Sequence, residues 1–396
     1  MTEHLFLEPL DVLYLRGNRL FADAGAHSEA QMPPWPSLAA GALRSRMLVD
    51  HGIATERYGD NEREQLTEVG DALHASLGTP QSPGEFRLTN FTLARHRDGA
   101  IEPCMALPTD VVATEQNDQL TARYLQPRKL HDGIAGSCPL PQVPVLASDT
   151  QSKPEGGIWL TGEGFAAYLR GAPLANEHLL RSRALWQTDS RLGIALDSDR
   201  RTAADGQIYT SDTIAPAEGV GFLVGVAGAE GLLPQSGLLR FGGDGRGARI
   251  QPCANSLPPA PWKQIKESRQ FRLLLTTPGL FPAGWQLPGL SQQDDGWHWQ
   301  GDGFSARLVA ASVPRQQTVS GWDLARRQPK PAQQAVPTGA IYWFDEFSGD
   351  PEALQTLLDQ GLWPLIPASQ RDASRRAEGF NNISFAAWAS DPQGDH

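Results

Sequence analysis

Apolar and polar positions change their spacing within the first fifty residues, from the pattern of a strand to that of a helix. Residues 5–15 (LFLEPLDVLYL) are mostly apolar and β-compatible, which predicts a first strand. After a loop, Ala39, Leu43 and Met47 recur every four residues, as on the buried side of a helix. Ser37 follows a proline-rich stop and is the expected N-cap of that helix. The chain therefore opens with a strand, a loop and a helix.

The rest of the first half gives weaker patterns. Residues 60–77 predict a second, acidic helix, and residues 86–95 predict a strand. Between residues 103 and 154 proline recurs with little periodicity, which indicates long connecting segments.

The second half begins with a glycine-rich apolar strand, GVGFLVGVAG, near residue 219. Asp350 is the expected N-cap of a helix that begins at Pro351 and ends at Gly361. Three further strands are expected at residues 273–281, 340–347 and 383–388.

Each half thus interleaves strands with about two helices, which is the βαββαβ pattern of ferredoxin-like folds. We predict an α+β protein with two tandem ferredoxin-like (RRM-like) domains that carry long loop insertions. A length of 396 residues agrees with two domains, because one core rarely organises so long a chain. The boundary is expected where the sequence becomes glycine-rich, which gives domains 1–215 and 216–396.

Composition indicates a globular protein of the reducing cytoplasm. The 40 glycines and 31 prolines favour short strands and many turns over long helices. Cys104, Cys138 and Cys253 lack CxxC spacing, so neither a disulfide framework nor a zinc site is indicated. The sequence shows no export signal and no apolar run long enough to span a membrane. We expect no cofactor and no membrane partner.

The net charge of -11 argues against indiscriminate binding of nucleic acid. The charge is uneven, because residues 50–120 hold 13 acidic residues against five arginines. Arginines elsewhere either converge on one basic face or are scattered and solvated, and the sequence leaves both possibilities open.

The segment LRFGGDGRG at residues 239–247 combines four glycines with two arginines. One interpretation is a phosphate contact, and the other is a tight turn with solvated arginines. A dinucleotide-binding fingerprint is rejected, because the strand-like ARIQPC follows where that fold needs a helix. No P-loop, HExxH or GxSxG motif is present, and the pair His131 and Asp132 is interpreted as a turn.

Several segments together resemble a known family. They are LEPLDVLYLRGNRLF, PPWPSLAAGALRS, RLGIALD with TAADGQIYT, LRFGGDGRG, and GWDLARRQPKPAQQAVPTGAIYWFD. In this order and spacing, across nearly the whole chain, they are similar to the third subunit of the Cmr effector complex of type III-B CRISPR-Cas systems, a RAMP protein.

The resemblance implies two ferredoxin-like domains in a cytoplasmic ribonucleoprotein. It implies a role without catalysis, in which the chain helps to hold the 5′ tag of the guide RNA beside the large Palm-domain subunit and a neighbouring backbone RAMP subunit. One departure is the glycine-rich loop near the end of RAMP proteins, of which RRAEGFNNISFAAW keeps only Gly379. The resemblance therefore does not imply RNA contact by that loop.

Single-stranded RNA is held by arginines on phosphates and by flat side chains stacked on bases. The candidate RNA-binding residues chosen on this basis are Arg16, Arg19, Arg191, Arg200, Arg240, Gly242, Gly243, Gly245, Arg246, Trp322, Arg326, Arg327 and Lys330.

Each candidate also has a plainer structural interpretation. Trp322 is equally suited to anchoring a core or a domain interface. Arg191 and Arg200 can pair with Asp197 or Asp199. The loop arginines after the first strand can be solvated, and Arg44 and Arg46 can pair with a neighbouring acid.

Two other functions compete with RNA holding. The first is a metal-independent RAMP endoribonuclease that processes CRISPR transcripts, with His27 as general acid/base for attack by the 2′-hydroxyl. The second is an interaction scaffold that binds no RNA. Cleavage of repeat RNA in EDTA distinguishes the first, and a co-purified guide RNA of fixed 5′ sequence excludes the second.

Overall fold

A computed structural model describes residues 2–15, 27–28, 31–55, 58, 71–80, 82–131, 133–134, 136–146, 153–196, 203–323 and 327–389. Helices and antiparallel sheets are mixed along this part of the chain, as the α+β prediction requires. The complete helices in it are α1 (Ser37–Asp50), α2 (Asp71–Leu77), α3 (Gly162–Leu169), α4 (Trp262–Ser268), α5 (Pro351–Gln360) and α6 (Ala373–Ala377). No helix among these residues is long and apolar enough to cross a bilayer.

The strands are short and numerous. In chain order they are β1 (Thr2–Pro9), β2 (His27–Ser28), β3 (Arg87–Arg97), β4 (Ala100–Ala106), β5 (Val111–Gln116), β6 (Gln119–Tyr124), β7 (Gln126–Arg128), β8 (Val143–Val145), β9 (Ile158–Leu160), β10 (Leu179–Arg181), β11 (Trp186–Leu196), β12 (Ala203–Pro216), β13 (Val220–Ala227), β14 (Leu238–Arg240), β15 (Gly247–Cys253), β16 (Phe271–Leu275), β17 (Leu290–Gln293), β18 (Gly296–Gly301), β19 (Phe304–Ser312), β20 (Gln317–Val319), β21 (Trp322–Asp323), β22 (Gln328–Pro329), β23 (Gln333–Ala335), β24 (Ile341–Gly349) and β25 (Ile383–Ala386).

The first large sheet has eight strands in the order β10-β9-β4-β3-β13-β1-β15-β14. Its central strand β13 is apolar along its whole length and every residue in it is buried, as expected for a strand covered on both faces. α1 packs on this sheet through Ala39, Leu43 and Met47, which are fully buried and confirm the predicted stripe.

The predicted N-cap of α1 is wrong by one residue. Ser37 lies inside the helix, and Pro36 occupies the N-cap position without a side-chain cap. The reason is that Pro36 already has helical dihedrals, with φ -60° and ψ -25°.

The second large sheet has six strands in the order β17-β18-β19-β24-β16-β25. Its core is aromatic, and Phe271 stacks on Phe344 with ring centroids 4.9 Å apart. α5 confirms the predicted signals, because the Asp350 side chain accepts a hydrogen bond from the Glu352 amide at 3.1 Å and the helix ends at Gly361.

The two large sheets divide the chain between Cys253 and Phe271. β13 and β15 both pair with β1, so the first sheet extends to Cys253, and the second begins at Phe271. The change from one sheet to the other therefore falls after Cys253, and the domain boundary expected at residue 215 stays a prediction.

The segment from 103 to 154 was expected to connect elements without regular structure, and that expectation is wrong. β5 pairs with β6 over six residues, and β7 pairs with β8. Proline interrupts the sequence pattern there, yet Pro127 and Pro144 lie opposite each other in a short two-stranded sheet, where no central ladder is broken.

Packing of the insertion after β4 against the second sheet buries a charged pair. Arg272 of β16 donates to Asp110 at 2.5 Å, and both side chains are almost fully buried. The same guanidinium donates to the carbonyls of Tyr168 and Ala387. The hydroxyl of Tyr168 completes the cluster by donating to Asp110 at 2.9 Å. The insertion after β4 is thus tied to the second sheet.

Candidate nucleic-acid interface

A cleft of about 600 Å³ lies where the first part of α1 faces the β21–β22 hairpin of the second half. Tyr14 and Trp35 line one side, and Trp322 and Lys330 line the other. The turn Gly242–Asp244 contributes to the same lining. We call this groove the cleft. It brings together four of the residues predicted to bind RNA, namely Gly242, Gly243, Trp322 and Lys330.

The turn of LRFGGDGRG packs on the backbone of Tyr14. The Gly243 amide donates to the Tyr14 carbonyl at 2.9 Å. A Cβ on Gly242 would lie 3.0 Å from that carbonyl oxygen, and Gly242 has φ +88°, so a side chain there would be strained. Gly245 also has positive φ, but it faces open space. Contacts with Tyr14 inside the protein therefore explain why Gly242 and Gly243 are glycines.

Arg246 lies against the chain rather than extending freely into solvent. It forms an ion pair with Asp11, and its side chain is 23% exposed. Its guanidinium carbon lies 5.4 Å from the centroid of the Tyr14 ring. Contact between Arg246 and RNA stays a prediction, and it requires the cation to be shared between Asp11 and a phosphate.

Arg191 lies on β11, near the same tyrosine. Its Nε donates to Asp189 at 2.9 Å, and this hydrogen bond, with smaller contributions that include Tyr14, raises the pKa of the guanidinium. The predicted partners Asp197 and Asp199 lie outside the described residues. The alternation along β11 indicates why Asp189 is the partner, since residues two apart share a strand face.

Trp322 is exposed over 56% of its surface, although it belongs to an aromatic residue type that usually packs inside. It lies on β21 and pairs with Pro329 of β22. Arg327, also exposed, has φ +51° in the turn between these strands. Lys330 follows the hairpin and forms an ion pair with Glu378. Trp322 therefore presents an uncovered ring at the cleft.

The sequence did not identify Tyr14, Trp35 or Arg44 as parts of this surface. Arg44 lines the cleft and donates to the hydroxyl of Tyr58 at 3.1 Å and to the carbonyl of Leu77 at 3.5 Å. These described acceptors are neutral, whereas Arg46 pairs with Asp50 at 2.8 Å as expected. The signal for Trp35 in the sequence was the proline-rich run around it, because proline favours turns.

The cleft continues into a smaller pocket of about 360 Å³, which we call the aromatic pocket. Trp35, Phe91 and Trp159 supply its rings, and Thr276 and Thr277 of the second half supply hydroxyl groups. The described residues that line it include no charged side chain. Gln31, Pro34 and Trp35 are shared with the cleft, so the two cavities adjoin.

The remaining predicted residues either lie away from the cleft or have side chains outside the described part of the structure. Arg240 is exposed on β14, outside the lining of the cleft. The backbone of His27 is described, where β2 pairs with β12, but its side chain is not. Four candidates lie outside the described residues, namely Arg16, Arg19, Arg200 and Arg326.

Within the described part of the chain no group of three His, Cys, Asp or Glu side chains is arranged to hold a metal ion.

Comparison with protein families gives one match over nearly the whole chain. The family model described as CRISPR-associated protein (Cas_Cmr3) matches residues 5–388. No curated protein matches the sequence significantly.

Solved structures give weaker similarities. A cryo-EM structure of the type III-B Cmr-beta complex bound to cognate target RNA and AMPPnP contains a chain with 13% identity and a TM-score of 0.47, which covers 98% of this chain and 100% of that one. A second structure, of Cmr-beta bound to cognate target RNA, gives 12% identity, a TM-score of 0.46 and 96% coverage of both chains.

Proposed function

Because the chain belongs to the Cas_Cmr3 family of CRISPR-associated proteins, we propose that it is a non-catalytic RNA-binding subunit of a type III-B Cmr effector complex. In this role it helps to hold the 5′ tag of the guide RNA. The membership predicted from the sequence motifs is confirmed by the family match over residues 5–388.

The main observation that supports the proposed RNA site is the cleft. Residues from the start of the chain, from LRFGGDGRG and from the β21–β22 hairpin meet there, although they are far apart in sequence. A single strand of RNA needs cations for phosphates and exposed rings for bases. Arg44 supplies a cation whose described acceptors are neutral, Lys330 supplies one that it shares with Glu378, and Trp322 supplies the ring. Asp244 and Asp323 also line the cleft, so we propose that the phosphates lie on the side of Arg44 and Lys330.

The aromatic pocket extends the proposal to a single nucleotide. Unstacked bases are held by aromatic rings and by neutral hydrogen-bonding groups that read their edges. Trp35 and Trp159 provide the rings, while Gln31, Thr276 and Gln317 provide amide and hydroxyl groups. We propose that the backbone of the tag lies in the cleft and that one base enters this pocket.

We also propose that both sheets are reduced forms of the ferredoxin-like fold. In the first, β15-β1-β13-β3 has the strand order of a split βαβ sheet and keeps its first helix, α1. In the second, β25-β16-β24-β19 has the same order and keeps its second helix, α5. The missing helices correspond to residues 228–246 and 276–303, which are described and contain no helix.

Partner subunits complete the proposal. A net charge of -11 disfavours RNA binding by the chain alone, so a composite surface with the large Palm-domain subunit and a neighbouring backbone RAMP subunit is physically more reasonable. We place this assembly in the cytoplasm. Size-exclusion chromatography of this chain mixed with the large subunit should show one joint peak, and separate elution at micromolar concentrations would contradict the pairing.

Omission of the subunit tests the proposed RNA role. The reconstituted complex, with or without this chain, is mixed with guide RNA that has or lacks its 5′ tag, and retention is measured. Removing the chain should weaken retention of tagged guide only, and untagged guide should be unaffected. Equal retention of tagged guide with and without the chain would refute the proposal.

Absence of catalysis needs its own experiment. The purified chain is incubated with labelled repeat RNA in EDTA, and the RNA should stay intact. Cleavage that disappears in His27→Ala would instead establish the endoribonuclease.

A further inference from the structure

The hairpin that carries Trp322 has little to hold it in place by itself. β21 and β22 each contain two residues, and a two-stranded ribbon of this size is not stable alone in water. The Lys330 amide closes the base of the hairpin by donating to the Gly321 carbonyl at 2.8 Å. The strands on either side of it, β20 and β23, pair with each other, and Val319 and Ala335 in them are fully buried, so the base of the hairpin is anchored. The position of the hairpin over the cleft depends on this base and on contacts of the flanking residues with other elements.

Arg375, in the middle of α6, makes such contacts. Both terminal nitrogens of its guanidinium donate to the Ser320 carbonyl at 3.3 Å, immediately before the hairpin. Its Nε donates to the Gln333 side chain at 2.8 Å, at the start of β23 after the hairpin. One buried guanidinium thus bonds to the chain on both sides of Trp322.

The charge of Arg375 is balanced by Glu378, which links it to the hairpin a second time. Arg375 donates to Glu378 at 3.0 Å, and the same carboxylate pairs with Lys330. The side chains of Arg375 and Glu378 are 3% and 6% exposed, so water does not screen the pair. The amide of Arg375 is itself capped by Asp372 at 3.0 Å.

We propose that Arg375 is a positioning residue that sets the Trp322 hairpin at the mouth of the cleft. It does not line the cleft, and it acts through the hairpin that it bonds on both sides. The consequence for RNA rests on the proposed function, whereas the effect on the hairpin does not. The two are measured separately.

Hydrogen exchange measures the hairpin without RNA. In the full chain, Arg375→Gln should speed exchange of peptides from residues 317–335 about tenfold, because hydrogen bonds from a charged group are lost. The matched control is Arg371→Gln, since Arg371 donates to the Ile366 and Pro364 carbonyls and not to the hairpin. If Arg375→Gln does not fold, Gln333→Ala weakens the same network without leaving a buried charge unpaired. Unchanged exchange at 317–335 in the folded variant would overturn the proposal.

A double-mutant cycle in the reconstituted complex measures the consequence for RNA. Arg375→Gln should weaken guide-RNA binding about fivefold or more, and should add no further loss in a Trp322→Ala background. Arg375→Lys should restore part of the binding. Additive losses would overturn an action through Trp322. If exchange rises but Trp322→Ala binds RNA normally, the RNA site of the proposed function fails while the positioning role stands.

Discussion

The guanidinium of Arg246 lies over the ring of Tyr14, 5.4 Å from its centroid, and pairs with the carboxylate of Asp11. The carbonyl of the same tyrosine accepts a hydrogen bond from Gly243. The LRFGGDGRG turn is therefore folded onto Tyr14 before any RNA binds.

Arg246→Ala should change both stability and RNA binding. Loss of a partly exposed ion pair and of the ring contact should lower the free energy of unfolding by about 1 kcal/mol. Loss of a phosphate contact should make the plot of log K for guide-RNA binding against log salt concentration less steep, by about the slope that one phosphate contributes. Arg246→Lys should recover only part, because a point charge replaces a planar fork. Urea denaturation and binding at several salt concentrations measure the two effects.

Asp11→Asn is the control for this pair. It breaks the ion pair and leaves the cation, so stability should fall while the salt slope does not decrease. A wild-type slope in Arg246→Ala would show that the arginine serves the turn alone.

Trp322→Ala should weaken guide-RNA binding by the assembled complex by about 1–3 kcal/mol, the range for one stacked base. The melting temperature should stay close to that of the wild type, because more than half of the side chain is exposed. Leu238→Ala is the control, since Leu238 is 51% exposed and does not line the cleft. A fall in melting temperature with unchanged affinity would identify Trp322 as a structural anchor.

The buried pair of Asp110 and Arg272 should dominate the contact between the insertion after β4 and the second sheet. Arg272→Met leaves the Asp110 carboxylate buried without its cation and should cost about 3–5 kcal/mol in urea denaturation. Lys263→Met is the control, because Lys263 pairs with Glu267 at 4.0 Å on an exposed surface and should contribute close to nothing. A loss below about 1 kcal/mol for Arg272→Met would contradict this assignment.

The three cysteines should differ in how fast their thiols react with a modifying reagent. Burial raises the pKa of Cys104 to about 12, so its thiol stays protonated and unreactive at pH 8. Cys138 is exposed, and Cys253 is half-buried with its pKa also raised by burial. An aromatic disulfide reagent should modify one thiol rapidly in the native chain and three after unfolding. Cys138→Ser should abolish the rapid phase, and early modification of Cys104 would contradict the burial.

Local signals in the sequence predicted part of the fold well. The stripe of α1 and the cap and end of α5 depend on residues within a few positions of each other, and the structure confirms both. The strands between residues 103 and 154 were missed, because the pairing of short separate ribbons is not visible from periodicity. Two of the prolines in this segment, Pro127 and Pro144, lie in one of these ribbons. The extent of the first sheet to Cys253 was not predicted, because strand pairing with β1 is a long-range property.

The residue types of the candidate site could be predicted from the sequence, but their arrangement in space could not. Glycines, arginines and Trp322 were recognised as residue types that suit RNA, and four predicted residues do line the cleft. The Asp11 partner of Arg246 and the Tyr14 carbonyl behind Gly243 could not be predicted, because these pairs form only when the first sheet closes.

The central claim is that the 5′ tag lies in the cleft. A guide RNA with 4-thiouridine placed in its tag is assembled into the complex, irradiated, and the crosslinked peptides are mapped. We predict crosslinks in peptides that contain Tyr14, Trp35 or Trp322. Crosslinks confined to other subunits, or to parts of this chain away from the cleft, would contradict the account.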